Sequence, residues 1–255
     1  MSGAHTHSVY RHGHSRVHRL PAHVKLVAAL AFTLTVVATP REQVWAFGAY
    51  AVLVGVAVAA ARLRVTHVVG HLAVELPFVL FAFSLPFLTG GPEVSVLGVG
   101  LSRTGLWDGW NILAKATLGV SASLVLASTT SAHELLQGVQ RLRAPSLFVQ
   151  IMSFMVRYVD VVGGEVDRMR VARLSRGFRA SRPGHWRVLA QSAGATFIRS
   201  YERGERVHLA MLSRGYTGRM PSGPTPVTSA GTWAYALVLP AATLVVAVAA
   251  WSPPW

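Results

Sequence analysis

Five blocks of apolar residues, near 24–40, 44–61, 67–89, 108–130 and 232–251, constrain this chain more than any other feature. Crossing a bilayer takes about 20 residues of helix, and each block approaches or reaches that length. With 52% of its residues hydrophobic and only 13% charged, the chain reads as an all-α, multispanning membrane protein with about five transmembrane helices. Residues 131–231 interrupt the pattern. They are too polar as a whole for lipid and too regular for disorder, which predicts a folded helical domain beside the membrane. The expected organisation is therefore a His/Arg-rich segment over 1–23, four spans over 24–130, the helical domain over 131–231 and a last span over 232–255. The first apolar block runs directly into further spans, so it reads as a retained signal anchor. The chain has no cysteine, which excludes disulfides and thiolate metal sites.

Charge sets the expected orientation. Arg11, Arg16, Arg19 and Lys25 precede or open the first span, Arg62 and Arg64 follow the second, and fifteen arginines lie in 131–231. Only Arg41 and Arg103 fall in the opposite loops, with Lys115 inside the fourth span. The positive-inside rule places the amino terminus, the Arg62 loop and the long domain in the cytoplasm, and five spans leave Trp255 outside. The localisation predicted is the plasma membrane, multi-pass. The long domain has a net charge of +9, which suits anionic lipid headgroups. Trp45, Trp107, Trp110, Trp233, Trp251 and Trp255 are expected as interfacial anchors, and Pro77 and Pro86 as kinks in the third span.

Inside the long domain one pattern occurs twice, 38 positions apart: Val171-Ala-Arg-Leu-Ser-Arg-Gly-Phe178 and Leu209-Ala-Met-Leu-Ser-Arg-Gly-Tyr216. Each copy closes a predicted amphipathic helix. In the first, over 146–176, Ile151, Met155, Tyr158, Val162, Val166 and Met169 recur at steps of three and four. The second, over about 186–214, carries Leu189, Ala193, Phe197, Tyr201, His208 and Leu212 along one side. Arg179-Ala-Ser-Arg-Pro-Gly184 reads as the turn between them, and 218–231 as a linker into the last span. Glycine lets the chain leave a helix through a left-handed residue, while arginine supplies a permanent charge and a rigid fork suited to a carboxylate. One copy alone is adequately explained as a helix C-cap carrying a dipole-matched cation. Two copies with the same apolar register suggest two equivalent docking points. The simplest arrangement is two crossing helices, both presenting their tips to the cytosol.

These residues carry a resemblance. The basic start ending in Ser15-Arg-Val-His-Arg-Leu-Pro-Ala-His-Val-Lys-Leu26, the group of spans and the paired X-Arg-Gly helix ends resemble the T component of energy-coupling factor (ECF) transporters. They are most similar to its cobalt-type branch, CbiQ. In that family paired Ala-Arg-Gly motifs dock into two cytoplasmic ABC ATPases and pass their motion to a separate substrate-binding membrane subunit, the S component. The resemblance implies that Ser175, Arg176 and Gly177, and Ser213, Arg214 and Gly215, are the two coupling positions. Serine stands here where the family often has alanine. It further implies two ABC ATPase subunits, an S component and membrane lipids as partners, no nucleic acid, and cobalt, nickel or a vitamin as cargo. No G-x-x-x-x-G-K-[ST] loop is present, so ATP is a partner's substrate and no cofactor is expected on this chain.

Histidine supports a rival reading. His5, His7, His12, His14, His18 and His23 crowd the start, and imidazole is a good ligand for cobalt, nickel and zinc. A metal-collecting tail is one interpretation, and a basic tail whose histidines bind nothing specific is the other. His67, His71 and Glu75 fall at i, i+4 and i+8 in the third span, and an ionisable residue at such depth is by default a functional candidate. The trio could pass or hold a metal, or serve as a hydrogen-bonded structural element. A membrane metalloenzyme would need several converging histidine motifs, whereas only His67-x-x-x-His71 lies at helical ligand spacing in the spans. A self-sufficient secondary transporter would need inverted repeats, which are not visible. The expectation is a non-catalytic subunit.

Overall fold

A computed structural model describes residues 13, 15, 17–63, 75–90, 92–96, 99–178, 186–218 and 229–251. The described residues divide into two compact units, one built from 13–139 together with the last helix, the other from 140–218.

The first unit is a helix bundle. It contains α1 (Ala22–Ala38), α2 (Val44–Ala60), α3 (Leu76–Leu88), α4 (Arg103–Thr129), α8 (Ala230–Trp251) and nearly all of α5 (Ala132–Arg141). Phe32, Val36, Phe47, Tyr50, Val54, Val58 and Leu118 form its core. Tyr50 meets Phe32 and Phe47 edge-on, the geometry that ring quadrupoles favour. Its hydroxyl is satisfied by Thr39 Oγ1 at 2.9 Å, inside apolar surroundings where an orphan would be costly. By length and composition α4 and α8 can cross a membrane, while α1, α2 and α3 are shorter apolar helices. These elements bear out an all-α polytopic membrane fold.

Some details differ from expectation. Between α3 and α4 lies a hairpin, β1 (Glu93–Val96) paired antiparallel with β2 (Val99–Ser102), which a purely helical reading leaves out. Pro77 sits in the first turn of α3, where its missing N–H is not needed, and only Pro86 lies inside the helix. Trp45, Trp110 and Trp251 are exposed, but Trp233 packs edge-on against His23 at 5.6 Å. Trp255 lies outside the described residues.

Helices α3 and α4 approach through a Gly105-x-x-x-Gly109 pair. A Cβ on Gly105 would lie 2.5 Å from the Leu85 carbonyl oxygen, and one on Gly109 would lie 2.8 Å from that of Ala82. Small residues at four-residue spacing let membrane helices pack backbone to backbone. Gly105→Ala is therefore expected to lower detergent-solubilised stability by about 1–3 kcal/mol, as overpacking does. Gly119→Ala, whose added carbon meets no described residue within 4 Å beyond its own helix backbone and chain neighbours, is the control and should be neutral or stabilising in thermal unfolding.

The second unit contains α6 (Ser146–Ser175) and α7 (Trp186–Leu212). Arg199 pairs with Glu165, Thr196 Oγ1 faces Met169 Sδ at 4.0 Å, and Arg173 Nη1 donates to Ser192 Oγ at 3.1 Å. One sequence rises as the other falls, so the two helices run antiparallel. The side of α7 that meets α6 carries Ser192, Thr196 and Arg199, whereas the expected apolar stripe leaves Phe197, Tyr201 and Leu212 exposed. By length and composition α6 can itself cross a membrane, with mean hydropathy 1.4 over its most apolar 18 residues and Leu147, Phe148, Ile151 and Met155 exposed. The domain's arginines mask this in a composition average.

Candidate coupling site

Both Ser-Arg-Gly segments terminate long helices, and they do so in the same conformation. After α6, Gly177 has φ 76°; after α7, Gly215 has φ 80°. In the first, Phe178 N–H donates to Arg173 O and Gly177 N–H to Leu174 O. In the second, Tyr216 N–H donates to Met211 O and Gly215 N–H to Leu212 O. This pair of bonds is the Schellman closure, which satisfies the last carbonyls of a helix and needs a left-handed residue. Ser175 Oγ donates to Ala172 O at 2.9 Å, and Ser213 Oγ to Ala210 O at 3.0 Å. Each serine thus spends its proton on its own last turn, which leaves a compact, non-protruding side chain at both tips.

Arg176 and Arg214 occupy equivalent cap positions, and both are exposed. Beside each lies an equivalent exposed apolar pair, Val171 with Leu174 and Leu209 with Leu212. A cation flanked by apolar surface at a helix end can enter a groove that supplies a carboxylate and an apolar wall, forming a charge-assisted and sometimes bidentate bond. The macrodipole keeps such a cation favourable at a C-terminus before any partner arrives.

The tips sit at opposite ends of the antiparallel pair. Tip 2 reaches the start of α6, where Tyr216 Oη donates to Gln150 Oε1 at 2.6 Å. Tip 1 is the other end of α6, about 40 Å away at about 1.5 Å per residue. Between them Glu165 joins the helices. Hydrogen bonds from Arg168 and Arg199 hold its carboxyl below the usual carboxylate range.

The third-span trio is only partly visible. Glu75 precedes α3 and is buried, with Thr117 Oγ1 donating to its Oε2 at 2.8 Å, while Oε1 has no hydrogen-bond partner among the described residues. His67 and His71 lie outside the described residues, as do His5, His7, His12 and His14. His18 accepts or donates to Ser15 Oγ through Nδ1 at 2.7 Å, and His23 is buried against Trp233, so these two belong to the packing at the start of α1. Among the described residues, no three metal-binding side chains gather.

Residues 13–225 match the family CbiQ, cobalt transport protein. The chain belongs to this family. The CbiQ-family chain is 28% identical over 222 residues to the energy-coupling factor transporter transmembrane protein EcfT of Bacillus selenitireducens, with 82% of each covered. It is 29% identical over 141 residues to the cobalt transport protein CbiQ of Rhodobacter capsulatus, covering 53% of this chain and 58% of that one. It is 30% identical over 141 residues to an uncharacterized protein of Methanocaldococcus jannaschii, covering 55% and 47%. The chain thus spans about half the length of those last two relatives. The family and these named relatives are membrane components of transport systems.

Proposed function

We propose that this chain is the transmembrane coupling subunit of an ECF-type ABC importer for cobalt or nickel. It transmits ATP-driven motion from two cytoplasmic ATPases to a separate substrate-binding membrane subunit, and performs no catalysis itself. Arg176 and Arg214 are the docking cations, Ser175 and Ser213 the small neighbours, and Gly177 and Gly215 the residues that shape the tips. The second unit lies on the cytoplasmic side with the amino terminus, and the apolar helices of the first unit span the plasma membrane.

One observation carries the reading: two helix tips share the same closure, the same exposed arginine and the same flanking apolar pair, at opposite ends of one helix pair. Ordinary C-caps have no reason to match in all three respects. Two separated tips suit two copies of one ATPase, and bivalent engagement raises avidity without further contacts. The cobalt transport protein of Rhodobacter capsulatus favours a metal cargo, while the EcfT relative matches over a longer span and favours a shared coupling subunit. Mass spectrometry of complexes purified in mild detergent separates these. Two ABC ATPase subunits and one dedicated membrane subunit are expected, together with ATP-dependent uptake of labelled cobalt or nickel. Several interchangeable vitamin-binding subunits would move the cargo to vitamins, and absence of any ATPase would overturn the coupling role.

A further inference from the structure

Gln150 and Tyr216 differ from the rest of the site in what they join. The first tip is continuous with α6, but the second is fastened to the same helix through the Gln150 side chain. Gln150 is buried near the start of α6 and uses both ends of its amide. Tyr216 Oη donates to its Oε1 at 2.6 Å, and its Nε2 donates to the Gly218 carbonyl at 3.2 Å. The orientation of the amide is fixed, because a carbonyl cannot donate and Nε2 must therefore face Gly218. Gly218 has φ 89°, a conformation that side chains rarely adopt, and this turns the backbone within reach of the amide. The two bonds bracket 216–218, beginning two residues after Arg214.

The one aromatic difference between the repeats falls here. At the first tip Phe178 needs no hydroxyl, because the Arg173 guanidinium lies over its ring at 5.7 Å while donating to Ser192 of α7. At the second, the hydroxyl of Tyr216 makes the clamp. Each tip is thereby tied to the opposite helix, and α6 extends from one to the other.

Resting on the coupling reading above, we propose that the Gln150 clamp makes α6 a strut of fixed length between the two docking tips, with Gln150 and Tyr216 as positioning residues. An intact helix changes its length little, so the tips cannot separate or approach unless the clamp opens. ATPase motion is then transmitted by tilting or rotating the strut as one body.

Because the chain has no cysteine, paired spin labels can be placed without background. Arg170→Cys with Thr217→Cys puts labels at exposed positions near the two ends, roughly 30 Å apart by helical rise. The distance is measured by double electron–electron resonance in the assembled transporter, with and without a non-hydrolysable ATP analogue. One narrow distance, unchanged between the two states, is expected. Gln150→Leu and Tyr216→Phe should each broaden it. Each should also lower uptake per ATP hydrolysed by about fivefold, the shift that one ordinary hydrogen bond represents, with ATPase co-purification and KM for ATP unchanged. Gln150→Glu keeps an acceptor for Tyr216 but loses the donor to Gly218 and sets a carboxylate oxygen against that carbonyl, so it should broaden the distance as well. Tyr216→Phe removes only one oxygen from a half-buried ring, so the test does not depend on the leucine variant folding. A nucleotide-dependent change of more than roughly 5 Å, one helical turn, in the unmodified clamp would overturn the strut. Unaltered distance and coupling in both variants would overturn the clamp. Failure of the ATPases to bind the parent chain would instead count against the coupling reading itself.

Discussion

Reversing both tip arginines, Arg176→Glu together with Arg214→Glu, is expected to release the ATPases from the detergent-solubilised complex and abolish ATP-driven uptake. Truncating one partner of a desolvated charge pair typically costs about 2–5 kcal/mol, much of it from the charge left behind, and reversal adds repulsion. At about 1.4 kcal/mol per decade, either single reversal should weaken association by one to several orders of magnitude. A single reversal leaves the other tip to hold the complex, so it should appear as weakened but detectable co-purification with transport uncoupled from hydrolysis. The chain itself should remain folded, because both side chains are exposed and the closures around them are made by backbone and serine. The control must be chosen with the ion pairs in view. Arg199 is equally basic but bridges α7 to Glu165, so its reversal would disturb the helix pair. Arg170 and Arg187 are exposed, and their reversal should behave nearly as the parent. Retained ATPase binding and uptake in the double variant would reduce both tips to ordinary helix caps.

The parts of this molecule legible in its sequence are those fixed by local chemistry. Apolar length gave the membrane helices, since that signal needs no knowledge of neighbours. Glycine after Ser-Arg marked both helix ends, because a left-handed closure is a property of a few consecutive residues. Pairing was less legible. The stripe through Phe197, Tyr201 and Leu212 has the periodicity of a buried face, yet α7 meets α6 through Ser192, Thr196 and Arg199. Periodicity identifies an apolar side but not what covers it. The hairpin over 93–102 was readable in principle, from the alternation in Glu93-Val-Ser-Val and the two residues Leu97-Gly98 before Val99. It was obscured by the apolar residues it shares with the spans around it. Glu75 illustrates another limit: its depth follows from sequence, but its bond to Thr117 depends on how α3 meets α4.

The chain's two lysines show a relationship that only the fold reveals, and it sets the second large effect. Lys25 opens α1 and donates to Thr129 O at 2.8 Å, the last carbonyl of α4, as well as to Thr130 Oγ1 and His18 O at 3.2 Å. Lys115, within α4, donates to Val37 O at 2.8 Å, near the end of α1. Each helix places a cation on the other's C-terminal carbonyls, which suits the macrodipoles of antiparallel neighbours. The two positions are not equal in consequence. Lys25 is buried and all three of its protons are used. Just beyond Thr130, Ser131 and Glu134 exchange the two bonds of a capping box that starts α5, and Gly138 of α5 lies so close to α1 that a Cβ would stand 2.8 Å from His23 N. The start of α1, the end of α4 and the capping box that opens α5 therefore gather around one ammonium. Lys25→Met keeps the volume but strands the Thr129 carbonyl and the Thr130 hydroxyl, at about 1–3 kcal/mol for each buried group left unpaired. Thermal unfolding in detergent should show a large loss for Lys25→Met and a small one for Lys115→Met, which forfeits a single more exposed bond. Equal losses, or none at Lys25, would mean that water or backbone rearrangement satisfies these carbonyls, and that the junction between α4 and α5 is held by packing alone.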